Sequence, residues 1–196
     1  MRTFHRLPRI LAITVPLAAI VATSACGTSA SASDETSPTS TPVATAAAPA
    51  PIDGADGVVS QNRLGIGTAQ AAAQAALAKC QADGLGFVTV SVVDRAGNVQ
   101  AMLRGDNAAQ HTVEAARQKA YTAAAFGANT SDLSERAKGD GATVADLPGT
   151  LFLAGGVSVK SAGGSIAGIG VGGAPDGMRD QACAAAGLDA IAGALG

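Results

Sequence analysis

GDNAAQHTVEAARQKAYTAAAFG, residues 105–127, is the stretch that decides the fold. It opens on a polar turn, Gly105-Asp106-Asn107, and passes through His111 and Thr112 into a helical pattern. Val113, Ala116, Ala120 and Ala124 recur at helical spacing, with Ala115 and Ala123 widening the face. Glu114, Arg117 and Gln118 fall mostly outside it. The pattern predicts a helix over about 112–126, ended at Gly127, where glycine tolerates a left-handed cap. Nearly every residue of the apolar face is alanine, so another element or a flat ligand can approach the backbone closely. His111 and Tyr121 are the only histidine and tyrosine beyond the first 25 residues, so coordination chemistry has to start here.

Upstream, Thr68 is a good N-cap for an Ala/Leu-faced helix that stops at Gly84 and carries Cys80 near its end. Residues 87–93 alternate and are rich in valine, which predicts a strand. Asp94-Arg95-Ala96-Gly97-Asn98 forms a hairpin turn into a returning strand over 99–103. Downstream, Thr130-Ser131-Asp132 starts a short helix, and residues 139–149 form a loop. Leu151-Phe152-Leu153 is a candidate short strand. Residues 157–160 and 165–171 are strands around Ala162-Gly163-Gly164. The glycines of IAGIGVGG admit a helix or ligand close to the sheet. Pro175 or Asp176 opens a last helix through Cys183 to about Ala194. Strands joined by tight turns between helices give an antiparallel sheet flanked by helices, an α+β domain.

The chain has 196 residues, and not all belong to that domain. Residues 1–25 have the form of a secretion signal: Arg2, Arg6 and Arg9, then an apolar run over 10–22 too short for an ordinary membrane span. Thr23-Ser24-Ala25-Cys26 resembles a lipobox with Thr in place of the usual Leu, making Cys26 the expected lipidation site. The alternative is ordinary cleavage after residues 30–32 and free secretion. Either way the domain works outside the cytoplasm, lipid-anchored to the cell membrane in the first case. Residues 26–58, mostly Ser, Thr, Ala and Pro, bury too little apolar surface to offset chain entropy and are expected to be a disordered tether. Residues 59–196 suffice for one compact domain.

The net charge is −2, and removal of residues 1–25 leaves 10 basic and 15 acidic residues. With no basic patch, no Trp and 3% aromatics, the composition argues against nucleic acid. If Cys26 carries lipid, Cys80 and Cys183 remain as an even pair in an oxidising compartment, and a disulfide between them is expected. The alternative is two buried free thiols. Their spacing excludes a CxxC redox site.

Several chemistries are absent. There is no GxSxG elbow, and Ser165 lies at a strand start. GIGVGG mimics a nucleotide loop but sits within a strand, with no acidic residue in the expected place. No HExxH occurs, and one histidine cannot build a two-histidine zinc site. One histidine does suffice for one haem iron, with the second axial position open. His111 is thus a candidate iron ligand; the alternative is a solvent-facing residue near Asp106. Tyr121 lies roughly 80° around the helix and about 15 Å along it from His111, so the two do not meet one iron within a chain.

The pieces VSVVDRAGNVQAMLRGDNA, ARQKAYTAAAFG with Thr130, LPG, and IAGIGVGGAPDGMRDQACAAAG occur in an order that resembles the GlcG/HbpS-like haem-binding family, over about residues 64–195. The resemblance implies a profilin-like, three-layer α/β/α fold with an antiparallel sheet of about five strands. It further implies haem as cofactor, homo-oligomers, and, in exported members, partnership with a membrane sensor protein or haem handling at the surface. An acidic iron-binding motif of some members has no counterpart here. The expectation is an extracytoplasmic haem-binding protein, with His111 on the iron and Lys119 and Arg104 or Arg117 as propionate partners; where the pocket forms between two chains rather than within one, Tyr121 of a neighbour faces His111. The enzymatic alternative is a haem-degrading or peroxide-active domain. A third is a haem-free oligomeric partner of a sensor.

Overall fold

A computed structural model describes residues 60–196. The expected secretion signal over residues 1–25, the expected tether over 26–58 and the expected lipidation site Cys26 lie outside the described residues. The chain runs α1 (Ile66–Ala82), β1 (Thr89–Asp94), β2 (Val99–Arg104), α2 (Gln110–Phe126), α3 (Thr130–Leu133), β3 (Gly156–Ser161), β4 (Gly164–Gly172) and α4 (Gly177–Ile191), with short 3-10 turns after α3 and α4. All strand pairings are antiparallel, in the order β2-β1-β4-β3. The fold is α+β. Helix α2 covers one face of the sheet, and α1 and α4 cover the other.

The expected sheet of about five strands has four. Residues 151–153, the candidate fifth strand, take no regular structure. Leu151 N–H donates instead to the Thr122 hydroxyl at 2.8 Å, and Phe152 stacks edge-on against Phe126 with ring centroids 5.2 Å apart. Those side-chain contacts dock the segment against α2 rather than beside a strand.

Strand alternation explains the three layers. On β4, Ala167, Ile169 and Val171 point with Val88, Val90, Val92, Val157 and Val159 into the core under α1 and α4. The intervening residues, Gly168, Gly170 and Gly172, face α2. A Cβ on Gly168 would lie 2.0 Å from Ala120 O, and one on Gly170 2.1 Å from Ala116 O. The glycines therefore admit a helix, with no room left for a ligand between it and the sheet. Gly170→Ala is expected to lower stability by about 1–3 kcal/mol, since backbone rather than a flexible side chain must give way. Gly67→Ala in α1, where nothing lies within 4 Å, is the control and should be neutral or stabilising. Equal urea midpoints for the two variants would contradict the contact.

Helix α2 begins two residues earlier than its apolar period suggests. Thr112 donates to Ala109 O at 2.7 Å and shares a 2.7 Å hydroxyl contact with Thr89, which fixes the first turn on β1. Gly127, at φ 65°, ends the helix with its N–H on Ala123 O, as its position predicts. Asp176 caps α4 by accepting from Met178 N–H at 2.8 Å. Cys80 and Cys183 are bonded, with Cα atoms 5.4 Å apart, tying α1 to α4. Gly187 sits against Ala72 O of α1, so small residues bring these two helices close.

Candidate functional site

Four segments converge at the N-terminal end of α2: the first turn of α2 itself, residues 153–154 before β3, residues 173–176 after β4, and the first turn of α4. Between them is an open pocket of about 390 Å³, with His111, Leu153, Pro175, Met178, Lys119 and Asp180 in its wall. His111 is exposed. Leu153 and Met178, 64% and 54% exposed, form an apolar rim that packing does not explain. Another pocket of about 440 Å³, lined by Asn62, Arg63, Thr68, Ser161 and Leu195 among others, gathers no histidine and no opposed charges. Among the described residues no cluster of three or more His, Cys, Asp or Glu is placed to hold a metal ion directly.

The floor is an ion pair. Lys119, 5% exposed, donates from Nζ to Asp180 Oδ2 at 2.8 Å, and Asp180 is 2% exposed. The other carboxylate oxygen, Oδ1, accepts from Ala174 N–H at 3.0 Å. Burial pushes the Asp180 carboxyl up from its ordinary range, opposed by Lys119 and by the N–H groups of Ala174 and Gly173. The pair thus ties α2, α4 and the 173–176 loop together beneath His111. Gly155, at φ 130°, makes room for it: a Cβ there would meet Lys119 Nζ at 2.8 Å and Asp180 Cβ at 2.9 Å.

Of the residues singled out from the sequence, this pocket gathers His111 and Lys119 and leaves the others elsewhere. Lys119 is not a surface cation: it lies on the buried face of α2 and already has a carboxylate, so meeting a propionate would require that pair to open. Arg104 is exposed, and its Nε and Nη2 both donate to Ala108 O. Arg117 holds Glu114 through Nε at 3.0 Å and Nη2 at 2.6 Å. This hydrogen bond keeps the Glu114 carboxyl below its usual range and raises the Arg117 guanidinium. Tyr121 packs its ring against Gly97 of the β1–β2 turn, away from His111.

Asp180, Leu153 and Met178 had no assigned role in the sequence. Asp180 did leave a signal. It shares the buried stripe of α4 with Cys183, Ala184, Gly187 and Ile191, where an unpaired charge would be costly. Lys119 interrupts the alanine stripe of α2 in the same way. Opposite charges on two buried stripes point to each other. Leu153 lies in an irregular segment and left no such signal.

The family model described as "Haem degrading protein HbpS-like" matches residues 64–189. A crystal structure of HbpS is similar at 44% identity and a TM-score of 0.65, covering 71% of this chain and 95% of that one. The structure of a double Glu-to-Asp variant of Streptomyces reticuli HbpS is similar at 42% identity and a TM-score of 0.66, covering 74% and 98%. A structure of a PduOC:haem complex matches at 28% identity and a TM-score of 0.58, covering 66% and 96%. No curated protein matches the chain.

Proposed function

The chain belongs to the HbpS-like family, and from that premise we propose that its domain binds haem at the pocket beside His111, to capture or sense haem outside the cytoplasm. The observation that carries this is the position of His111. The one histidine of the described residues stands exposed in the wall of a pocket with an apolar rim. Leu153, Pro175 and Met178 suit the face of a porphyrin, and His111 suits its iron. At about 390 Å³ the pocket is toward the small end for one that encloses a ligand, so it would clasp one side of the ring and leave the rest open. Neither Arg104 nor Arg117 lines this pocket, and Lys119, which does, would meet a propionate only by leaving Asp180. Haem would supply the redox-active iron. The chain's own part is the imidazole, the apolar wall and the rigid floor.

Residues 60–196 lie within one compact unit with its own core and disulfide, and the tests use a chain that contains it. Haemin titration should saturate near one haem per chain or per dimer with a sharp Soret band. His111→Ala should abolish or blue-shift that band while leaving the melting profile intact, since the side chain is exposed. An unchanged Soret position and affinity in the variant would remove His111 from the iron.

The family description favours one second reading, haem degradation. The openness of the pocket admits peroxide to the ring. Catalytic loss of the Soret band on adding reductant or peroxide would select that reading, and a stable band would select capture or sensing. The buried disulfide accords with an oxidising location, in keeping with export and a lipid anchor at Cys26. Mass spectrometry of the membrane-extracted protein tests the anchor: an unmodified Cys26 in the mature chain would rule it out.

A further inference from the structure

We infer that Met178, the only sulfur in the wall of the His111 pocket, supplies the second axial ligand to a haem iron held there, an inference that rests on the haem reading of that pocket. Besides His111, four side chains in the wall carry an atom able to ligate a metal: Lys119, Asp176, Met178 and Asp180. Three of them are engaged. Lys119 Nζ donates to Asp180 Oδ2, and Asp180 Oδ1 accepts from Ala174 N–H. Asp176 Oδ1 accepts from Met178 N–H and so caps α4, where a helix N-terminus favours its negative charge. Moving any of the three onto an iron would break a contact that holds the pocket together. Met178 is 54% exposed and belongs to neither apolar core cluster, so its sulfur can turn to a ligand without breaking any of them.

The backbone that carries Met178 is fixed on two sides. The Asp176 cap holds its N–H. Gly177 beside it lies so close to residue 154 that a Cβ there would meet Ala154 O at 2.8 Å. The side chain beyond is unbranched and has three rotatable bonds, so the sulfur can adjust to what it meets. His111 comes from α2 and Met178 from α4, helices that cover opposite faces of the sheet. The two therefore reach the pocket from different layers, which suits ligands on the two sides of one flat ring.

A thioether opposite an imidazole makes the iron six-coordinate and low-spin. As a soft donor it favours the ferrous state and raises the reduction potential above that of an imidazole–water pair. It also fills the position at which peroxide would have to bind. Met178 thus turns an open pocket toward holding haem rather than consuming it.

Near-infrared magnetic circular dichroism of the ferric haem complex, read beside its reduction potential, tests this. The parent should show the sulfur-to-iron charge-transfer band of a thioether ligand in a low-spin complex. Met178→Leu keeps the size and apolarity of the side chain and should leave the fold intact. Its haem complex should lose that band, turn high-spin and fall in potential, and cyanide should reach its iron faster. Met178→His is the second variant. It should restore a low-spin complex with the signature of two imidazoles in place of the thioether band, which a side chain that only lined the pocket would not do. A parent complex without the thioether band, or a Met178→Leu complex with the parent's spin state and potential, overturns the assignment and leaves the His111 reading standing. A parent that takes up no haem overturns both.

Discussion

Asp180→Ala is expected to lower the unfolding free energy by about 3–5 kcal/mol, a large share of what holds a domain of this size together. The substitution leaves Lys119 5% exposed with no counter-charge and strips Ala174 N–H of its acceptor. Most of the loss comes from the stranded ammonium rather than from the attraction between the pair. A double replacement, Lys119→Met with Asp180→Leu, removes both charges and should recover most of it. Urea unfolding of the two single variants and the double variant measures the coupling directly. Single losses below about 1 kcal/mol would mean that water reaches the pair and that the floor of the pocket is softer than the geometry shows. The pair also anchors the 173–176 loop beneath His111. Where Asp180→Ala remains folded, its haem complex should therefore have a broader Soret band than the parent.

Loss of the disulfide is the second large effect. Replacing Cys80 and Cys183 together by alanine should destabilise the domain by about 4 kcal/mol, because the bond closes a loop over a separation of 103 residues. Both sulfurs belong to fully buried residues within the core, so exchange with a reductant should require opening of the α1–α4 layer. The midpoint of urea unfolding, with and without reductant, reads the effect. A shift equivalent to less than about 1 kcal/mol would place the strength of that layer in packing alone. Asp180 and Cys183 are one turn apart on α4, so the two losses should not add. A combined variant measures how far that helix acts as one unit.

Most of the architecture was legible in the sequence because it rests on local periodicity. The valine alternation before Asp94 and the turn it closes set the β1–β2 hairpin, and the alanine stripe set α2. Gly127 and Asp176 marked helix ends by chemistry that needs only near neighbours. Even the disulfide followed from counting cysteines. The fifth strand failed for the opposite reason: Leu151-Phe152-Leu153 is apolar enough for a strand, but Thr122 and Phe126, far off in sequence, hold it elsewhere.

The candidate site was half legible. His111 stood out because it is the only histidine beyond residue 25, and the pocket does include it. Lys119 was singled out as a cation for a ligand, whereas its helical position already carried the contrary information, since it lies on the buried stripe. Arg104 and Arg117 look free in a sequence, yet each is engaged within four residues of itself.

By itself the sequence determined what elements form and where they end, since propensity, capping and periodicity act over a few residues. It determined the family as well, through motifs spread over the whole domain. Only the tertiary structure decided which side of each element meets which neighbour. It placed Gly168 and Gly170 against α2 rather than a ligand, matched Lys119 to Asp180 across 61 residues, and brought Leu153 and Met178 to the same rim as His111. Such contacts depend on how whole layers stack, and stacking is set by the summed packing of the core, which no single stretch of chain contains.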